Sequence, residues 1–237
     1  MEEKRMLTIT KEVPVAGRYD AVVCGGGPAG WVAAAAAARC GCRTALIERF
    51  GFLGGAATAG LVMPISAFFH NGRRVVGGIP WEFVETMAGC GAARVELPRG
   101  HISADPEFYK LIAQRMVRAA GADVYTNSYL SGAVREGRRI TAVLIENKNG
   151  TEAVAGSCFI DATGDGDLCA LAGADEDLMA GVINNYILKN GRMVTFRLGG
   201  HRGTLLTSKH ENSIAYDTNL SYIAASERPC TVLVIVD

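Results

Sequence analysis

The sequence predicts an α/β protein whose core is a mostly parallel sheet, and three observations support this. A short apolar strand, a glycine turn, an alanine-rich helix and a second apolar strand follow one another within residues 20–49. A helix and a strand occupy residues 105–126, and short alternating strands run between residues 129 and 155. Strands that alternate with helices indicate parallel pairing, whereas the short alternating strands indicate an antiparallel meander.

The glycine turn has the spacing G-x-G-x-x-G, with Gly25, Gly27 and Gly30 directly after the first strand. Gly25 allows a sharp turn, Gly27 leaves the main chain open to a diphosphate, and Gly30 lets the helix pack closely on the strand. Pro28 and Ala29 suit the first helical turn, where the N–H groups and the positive end of the helix dipole face the phosphates. The pattern predicts the first βαβ unit of a dinucleotide-binding fold.

The second strand ends in Glu48, 18 residues after Gly30, where such units carry an acid at a spacing of roughly 20. Its carboxylate can accept both hydroxyls of an adenosine ribose and would repel a 2′-phosphate, so the residue disfavours NADP. A glycine-rich turn without a ligand is the alternative interpretation. The complete order of strand, turn, helix, strand and acid favours nucleotide binding.

Composition excludes several other classes of function. The chain has 237 residues and a formal net charge of 0, which gives no electrostatic case for nucleic-acid binding. Residues 21–38 carry no charge, but glycine and proline interrupt this run, so no membrane span is expected. The seven cysteines form no C-x-x-C pair and, with no signal peptide evident, favour a cytoplasmic location. Cys42 or Cys90 as a redox thiol is a less favoured interpretation than an inert packed cysteine.

After Glu48 the chain continues with Arg49 and a run of small residues that is too rich in glycine for an ordinary helix. Such a run suits main chain packed against a rigid ligand. With the glycine turn and the acid, it resembles the FAD-dependent oxidoreductases of the glutathione-reductase-like superfamily. The resemblance implies FAD as the cofactor, with Glu48 at the adenosine ribose. The residues that it places along the pyrophosphate and the ribityl side are Arg49, Gly54, Gly55 and Thr58.

Residues 61–104 are less regular, and the resemblance implies an inserted segment that helps to cover the flavin and the substrate. A turn is expected at residues 71–74 and a helix over residues 81–88. Candidates for substrate contact or proton transfer are His70, Arg73, Arg74, Arg99 and His101. For any one of them, a solvated side chain is the commoner outcome.

The next helix is expected to begin after Asp105, which suits the N-cap, and to end at Gly121. Its apolar residues fall mainly on one face: Phe108, Leu111, Ile112, Met116 and Val117. A strand over residues 122–126 follows.

A meander is then expected over residues 129–135, 140–147 and 152–155. This order resembles the β crossover of the same flavoprotein family. The resemblance adds Val134 to the cofactor-binding residues.

A third motif follows the meander, where an apolar strand ends at Asp161 and enters a tight Ala-Thr-Gly turn. In the resembled family this turn lies beside the FAD, so the resemblance assigns Thr163 and Gly164 to the cofactor site. Asp161, Asp165 and Asp167 raise the alternative of a calcium loop, but the ligand spacing and terminal glutamate of an EF-hand are missing. Capping and turn formation explain these acids better, and no metal is expected.

The resemblance implies a Rossmann-like FAD/NAD(P)-binding domain with a parallel sheet, a β-meander crossover and an incomplete second region of substrate-domain type. Residues 1–60 begin the FAD-binding domain, 61–104 form the inserted cap, 105–172 complete the domain, and 173–237 form the partial or divergent second region. The late Gly-Asp segment through which the family returns to the flavin is not visible in this sequence. The resemblance therefore implies a C-terminally short member.

The expected function is that of an FAD-binding oxidoreductase that exchanges hydride or electrons through the flavin. The substrate is an unidentified small molecule, NAD(P)H or another donor is a candidate source of electrons, and no residue is assigned as catalytic. Two alternatives stay open. One is an enzyme of the thiazole-biosynthesis type that uses NAD, and the other is a truncated nucleotide-binding protein without catalytic activity.

Overall fold

The computed structural model describes residues 10–62, 64–66, 68–70, 72–96 and 101–174, and the backbone of residues 194–198 and 201–205. The strands are β1 Val15–Cys24, β2 Thr44–Ile47, β3 Pro64–Ile65, β4 Phe69–His70, β5 Arg73–Arg74, β6 Ala93–Glu96, β7 His101–Ala104, β8 Asp123–Tyr125, β9 Tyr129–Glu136, β10 Arg139–Asn147, β11 Gly150–Asp161, β12 Val194–Leu198 and β13 His201–Leu205. The helices are α1 Pro28–Arg39, α2 Gly78–Gly89, α3 Pro106–Ala120 and α4 Asp167–Leu171, and a 3₁₀ turn covers Gly55–Ala57.

The main sheet has six strands in the order β8-β2-β1-β11-β10-β9. The first four are parallel, whereas β10 pairs antiparallel with both β11 and β9. The α/β class with a parallel sheet and a meander is therefore confirmed. Cys24, the last residue of β1, lies beside Ile47 of β2 on one side and Asp161 of β11 on the other. The carboxyl ends of these three strands thus meet at one edge of the sheet.

Apolar side chains fill both faces of the sheet. On one face, Val23 and Leu46 belong to a core that includes Trp31 of α1, Met87 of α2 and Val117 of α3. The opposite face carries a second core with residues of β1, β2, β10 and β11 and with Leu168 of α4. The alanines of α1 let this helix lie close to the sheet, because their small side chains keep the backbones near each other.

The strand predicted over residues 152–155 and the apolar strand predicted to end at Asp161 form one continuous strand in the structure. β11 runs without a break from Gly150 to Asp161 and pairs with β10 at its start and with β1 along most of its length. Gly156 allows this passage, because a Cβ there would lie 2.7 Å from Cγ2 of Val22.

α3 begins as the sequence predicts but turns a different face inward. Asp105 Oδ1 accepts hydrogen bonds from the N–H groups of Glu107 at 2.9 Å and Phe108 at 3.0 Å. The predicted core face is wrong for Phe108 and Leu111, which are each 44% exposed. Tyr109 is buried instead, and its hydroxyl accepts a hydrogen bond from Trp31 Nε1 at 3.0 Å, which satisfies this polar group inside the core. This contact between α3 and α1 rotates the buried face of α3.

The segment between residues 61 and 104 forms small elements of its own. β4 and β5 pair antiparallel, so Arg73 and Arg74, expected in a turn over residues 71–74, belong to a strand instead. α2 begins at Gly78, three residues earlier than expected. A sheet in the order β3-β7-β6 was not predicted, since its strands are only two to four residues long. Within the described part of the chain, no helix is long and apolar enough to cross a membrane.

Candidate nucleotide-binding site

The sheet edge defined by the ends of β1, β2 and β11 brings the three sequence motifs together. The Gly25 N–H donates to the carbonyl of Ile47, and the Ala162 N–H donates to the carbonyl of Cys24, both at 2.8 Å. The glycine turn thus lies between Glu48, directly after β2, and the turn at Thr163, directly after β11. This is the crevice at the carboxyl ends of the strands where open parallel sheets bind ligands.

Two glycines of the turn are required by the fold itself. Gly25 has a φ of +98°, and a Cβ there would lie 2.2 Å from the carbonyl oxygen of Ala162. A Cβ on Gly30 would lie 1.8 Å from the carbonyl oxygen of Gly25. A larger residue at either position would push the first strand, α1 and β11 apart.

Packing does not explain the absence of a side chain at Gly27. A Cβ there would have the Gly55 Cα at 4.0 Å as its nearest neighbour. Gly27 is the N-cap of α1, makes no side-chain capping bond, and is followed by Pro28, which has no N–H. The N–H groups of Ala29 and Gly30 lie in the first turn of α1, where a helix has no internal acceptors for them. This open main-chain surface has the form of an anion-binding site.

Glu48 is held in place by the main chain around it. It is 5% exposed, and its Oε2 accepts from the Gly26 N–H while its Oε1 accepts from the Phe50 N–H, both at 2.7 Å. A carboxylate offers about four acceptor positions. Each oxygen therefore keeps capacity for one ribose hydroxyl, so the residue fits the role predicted for it.

Gly26 also belongs to this site, although the motif G-x-G-x-x-G does not require glycine at this position. A Cβ at Gly26 would lie 2.6 Å from Cδ2 of Leu53 and 2.9 Å from Oε2 of Glu48. The only signal in the sequence is that Gly26 stands between the two glycines of the motif.

The segment at Asn127 and Ser128 was also missed. The Ser128 N–H donates to the Glu48 carbonyl and the Asn127 N–H to the Phe50 carbonyl, each at 3.0 Å. Asn127 has a φ of +51°, and asparagine is enriched in this left-handed conformation. These two bonds fix the chain that follows β2.

The second motif packs main chain against the glycine turn. The Gly54 N–H donates to the Gly26 carbonyl at 2.8 Å, and a Cβ on Gly55 would lie 2.8 Å from the Cα of Gly27. The φ angles of Gly54 and Gly55 are +115° and +48°. Thr58 is 2% exposed, and its hydroxyl donates to the Leu53 carbonyl at 3.0 Å. Gly54, Gly55 and Thr58 therefore form a tight turn directly beside Gly27.

Arg49 is exposed and belongs to a stack of side chains beside Glu48. Its guanidinium carbon lies 5.0 Å from the centre of the Phe50 ring, which stacks on Phe52 at a centroid distance of 5.4 Å. Lys110 Nζ lies 4.2 Å from the centre of the Phe52 ring. The cations at the two ends of the stack interact with the faces of the rings.

The third motif is organised by Asp161, which is 1% exposed. Its Oδ1 accepts from the N–H of Thr163 at 3.1 Å and from the hydroxyl of Thr163 at 2.7 Å, and its Oδ2 accepts from the Cys169 N–H at 2.9 Å. Asp161 thus closes the turn at Thr163 and Gly164 and caps the first turn of α4. Burial, together with Asp165 and Asp161, raises the pKa of Asp167 above its ordinary value.

The structure does not bring Val134 to this edge. Val134 of β9 pairs with Ala142, Ala142 pairs with Ala155, and Ala155 pairs with Arg18 of β1. Arg18 precedes Cys24 by six residues, which is roughly 20 Å along a strand. Apart from Val134 and Arg49, the predicted site residues lie in the glycine turn and the start of α1 or in the two turns that contact the glycine turn. Glu48 is bonded to the glycine turn through Gly26.

The candidates for substrate contact lie in the segment before α3. His70, Arg73, Arg74 and His101 are exposed, and Arg99 lies outside the described residues. The guanidinium carbon of Arg74 lies 4.5 Å from the centre of the Trp81 ring. None of these five candidates is assigned a catalytic role.

Fold and site together define an α/β protein with a crevice suited to a dinucleotide at the carboxyl edge of a parallel sheet. A family model described as FAD dependent oxidoreductase matches residues 20–226. The chain belongs to this family of FAD-dependent oxidoreductases. The match confirms the family predicted from the three motifs, and with it FAD as the cofactor.

Individual similar proteins match parts of the chain. A dihydrolipoyl dehydrogenase from Trypanosoma brucei brucei is 46% identical over 57 residues, which are 24% of this chain and 12% of that protein. A geranylgeranyl bacteriochlorophyll reductase-like protein from Thermoplasma acidophilum has a similar solved structure, with a TM-score of 0.50, 18% identity, and coverage of 81% of this chain and 54% of that one. THI4 of Thermovibrio ammonificans gives a TM-score of 0.49 and 23% identity, with coverage of 65% and 61%. The chain thus spans only part of each protein's length.

Proposed function

We propose that the protein holds FAD across the carboxyl edge of its sheet and transfers hydride or electrons between the flavin and a small-molecule substrate. The observation that carries the proposal is the open main chain at Gly27, which faces Gly55 and begins α1. Its small size serves no packing purpose within the described chain. A bound diphosphate explains why the position is a glycine.

The diphosphate would be held by main-chain N–H groups and by the dipole of α1. Ala29 and Gly30 present the first amides of a helix of 12 residues, and no acidic residue lies in its first turn. Interaction with the positive end of a helix contributes about 0.3–1 kcal/mol at an exposed site. These groups are fixed before the ligand arrives, so little ordering is needed on binding.

The adenosine half would extend from the diphosphate toward Glu48. Both oxygens of this carboxylate are oriented by main-chain N–H groups, so the ribose hydroxyls meet an acceptor that is already in position. The negative charge disfavours a ribose 2′-phosphate, and the proposal therefore excludes NADP from this site.

The flavin half would run from the diphosphate along the turn of Gly54, Gly55 and Thr58 toward Thr163 and Gly164. Bound FAD supplies a ring that accepts and returns hydride or single electrons, while the protein binds and orients it. NAD(P)H is a candidate electron donor. In this proposal, residues 61–104 form a cap and residues 173–237 form a region of substrate-domain type. The protein would be located in the cytoplasm, which the pattern of cysteines in the sequence supports.

The absorption spectrum of the freshly purified protein tests this proposal. We expect a flavin spectrum that bleaches with dithionite, and FAD as the molecule released on denaturation and identified by mass spectrometry. A colourless protein that does not acquire a flavin spectrum when FAD is added would favour the non-catalytic alternative. Release of NAD or a compound derived from NAD would favour the thiazole-biosynthesis type instead.

A further inference from the structure

A groove of about 300 Å³, which we name the α2–α3 groove, lies between the outer faces of α2 and α3 and the end of α1. Phe108 and Leu111 of α3 line it, and each is 44% exposed. Met116 also lines it and is nearly buried. The groove therefore offers an apolar surface to a ligand.

The charges around the groove favour an anion. Arg39 and Glu82 form two hydrogen bonds with each other, at 2.6 and 2.8 Å, and so neutralise one another. Arg115 also lines the groove, and no carboxylate of the described residues lies within 4.0 Å of its guanidinium. The groove thus carries one net positive charge beside its apolar surface. An arginine in this situation suits a carboxylate, which it can bind through two parallel hydrogen bonds.

The size of the groove favours a small molecule over a protein. Ligand sites commonly measure about 300–1,000 Å³, whereas a stable protein interface involves roughly 20–30 residues from each side. Ten residues line this groove, so its dimensions match the smaller kind of ligand.

The groove is separate from the nucleotide-binding site. Arg39 at the groove is the last residue of α1, and the glycine turn precedes the first. A helix of 12 residues is about 18 Å long, so one ligand of this size cannot occupy both places.

We propose that the α2–α3 groove binds a small carboxylate with an apolar tail. The carboxylate is bound by Arg115, and the tail lies on Phe108, Leu111 and Met116. This site is additional to the FAD site and does not depend on it, so binding is expected with or without FAD.

Calorimetric titration of the full chain with decanoate tests the proposal. We expect saturable binding with one site per chain, and an affinity at least about tenfold lower for Arg115→Gln, since a charge-assisted pair is lost. Arg138→Gln removes an exposed arginine from the turn between β9 and β10 and is the matched control, with unchanged affinity. Decanol, which lacks the charge, is expected to bind more weakly than decanoate. Absence of saturable binding, or equal affinity of Arg115→Gln and the parent, would overturn the proposal.

Cys90 provides a second readout, because its thiol lines the groove and is exposed. Decanoate is expected to slow alkylation of Cys90, measured by peptide mass spectrometry, and to leave exposed Cys42 unaffected as an internal control. Equal rates at Cys90 with and without decanoate would place the carboxylate elsewhere. A dimer in solution that becomes monomeric in Phe108→Ser would assign the groove to a second copy of the chain and also overturn the proposal.

Discussion

Gly26 positions Glu48, the acid that we propose binds the adenosine ribose. Its N–H is bonded to Glu48, and its missing side chain leaves room for both Glu48 and Leu53. In the proposed site, Gly26 would thus affect FAD binding through Glu48. In the motif G-x-G-x-x-G this position accepts any residue, so the restriction to glycine comes from this particular packing.

Gly26→Ala is expected to raise the Kd for FAD about 10- to 100-fold, the cost of losing a hydrogen bond to a charged group. The added methyl would displace the Glu48 carboxylate from the Gly26 N–H. Titration of the FAD-free protein with FAD, followed by flavin fluorescence, measures the change. Gly89→Ala is the matched control, since a Cβ at Gly89 meets nothing within 4 Å. Equal affinities of Gly26→Ala and the control would contradict this role.

Cys169 is expected to make the stability of the protein depend on pH in the alkaline range. Burial, followed by the charge of Asp161 and its hydrogen bond to the thiol, raises the pKa of Cys169 from an ordinary 9.0 to about 12. The folded state therefore holds this proton more tightly than the unfolded state. Its contribution to stability is complete below pH 9 and is lost as the pH rises toward 12.

Urea unfolding at several values between pH 9 and pH 11 measures the effect of Cys169. The unfolding free energy of the parent is expected to fall more steeply with pH than that of Cys169→Ala. Other groups titrate in the same range, and the comparison of the two proteins cancels them. Parallel curves would show that the thiol does not have the raised pKa.

At the scale of elements, α3 combines an N-cap that the local sequence determines with a long-range contact in the core. Asp105 caps its first turn, and Tyr109, one turn further, bonds the indole of Trp31 in α1. In the proposed site, the N-terminus of α1 faces the diphosphate. Formation of α3 is therefore expected to support the position of this helix.

Asp105→Ala is expected to lower the unfolding free energy by about 0.5–2 kcal/mol, the usual cost of losing an N-cap. Two N–H groups of the first turn lose their acceptor. Urea denaturation measures the loss. Asp105→Ser, which keeps a side-chain oxygen at the cap, should recover most of the stability, and an Ala variant as stable as the parent would argue against the capping role.

Elements with a local cause were predictable from the sequence. The glycine turn, the N-cap at Asp105 and the turn after Asp161 each depend on residues within a few positions. The face of α3 was not predictable, because the contact of Tyr109 with Trp31 joins residues 78 positions apart. Gly26 was missed for the same reason, since its neighbours Glu48 and Leu53 reach it only through the fold.

At the scale of the whole molecule, the sheet order creates the site. β1 lies between β2 and β11, so the glycine turn, Glu48 and the turn at Thr163 meet although Gly25 and Thr163 are 138 positions apart in the sequence. Gly25 and Gly30 serve the packing at this junction, whereas Gly27 leaves a surface open. The same motif therefore contains two glycines that the packing requires and one, Gly27, whose role we propose to be ligand binding.

The difference between these glycines leads to the most direct test, which is FAD binding by Gly27→Val. A Cβ at Gly27 has space in the protein alone, and its φ of −64° is accessible to any residue. We expect the FAD-free variant to keep the Tm of the parent and to lose at least about 100-fold in FAD affinity, because the side chain occupies the position of the diphosphate. Gly77→Val, at the N-cap of α2 with a φ of −131° and open space around it, should bind FAD normally. A folded Gly27→Val variant that binds FAD as the parent does would contradict the assignment of this site.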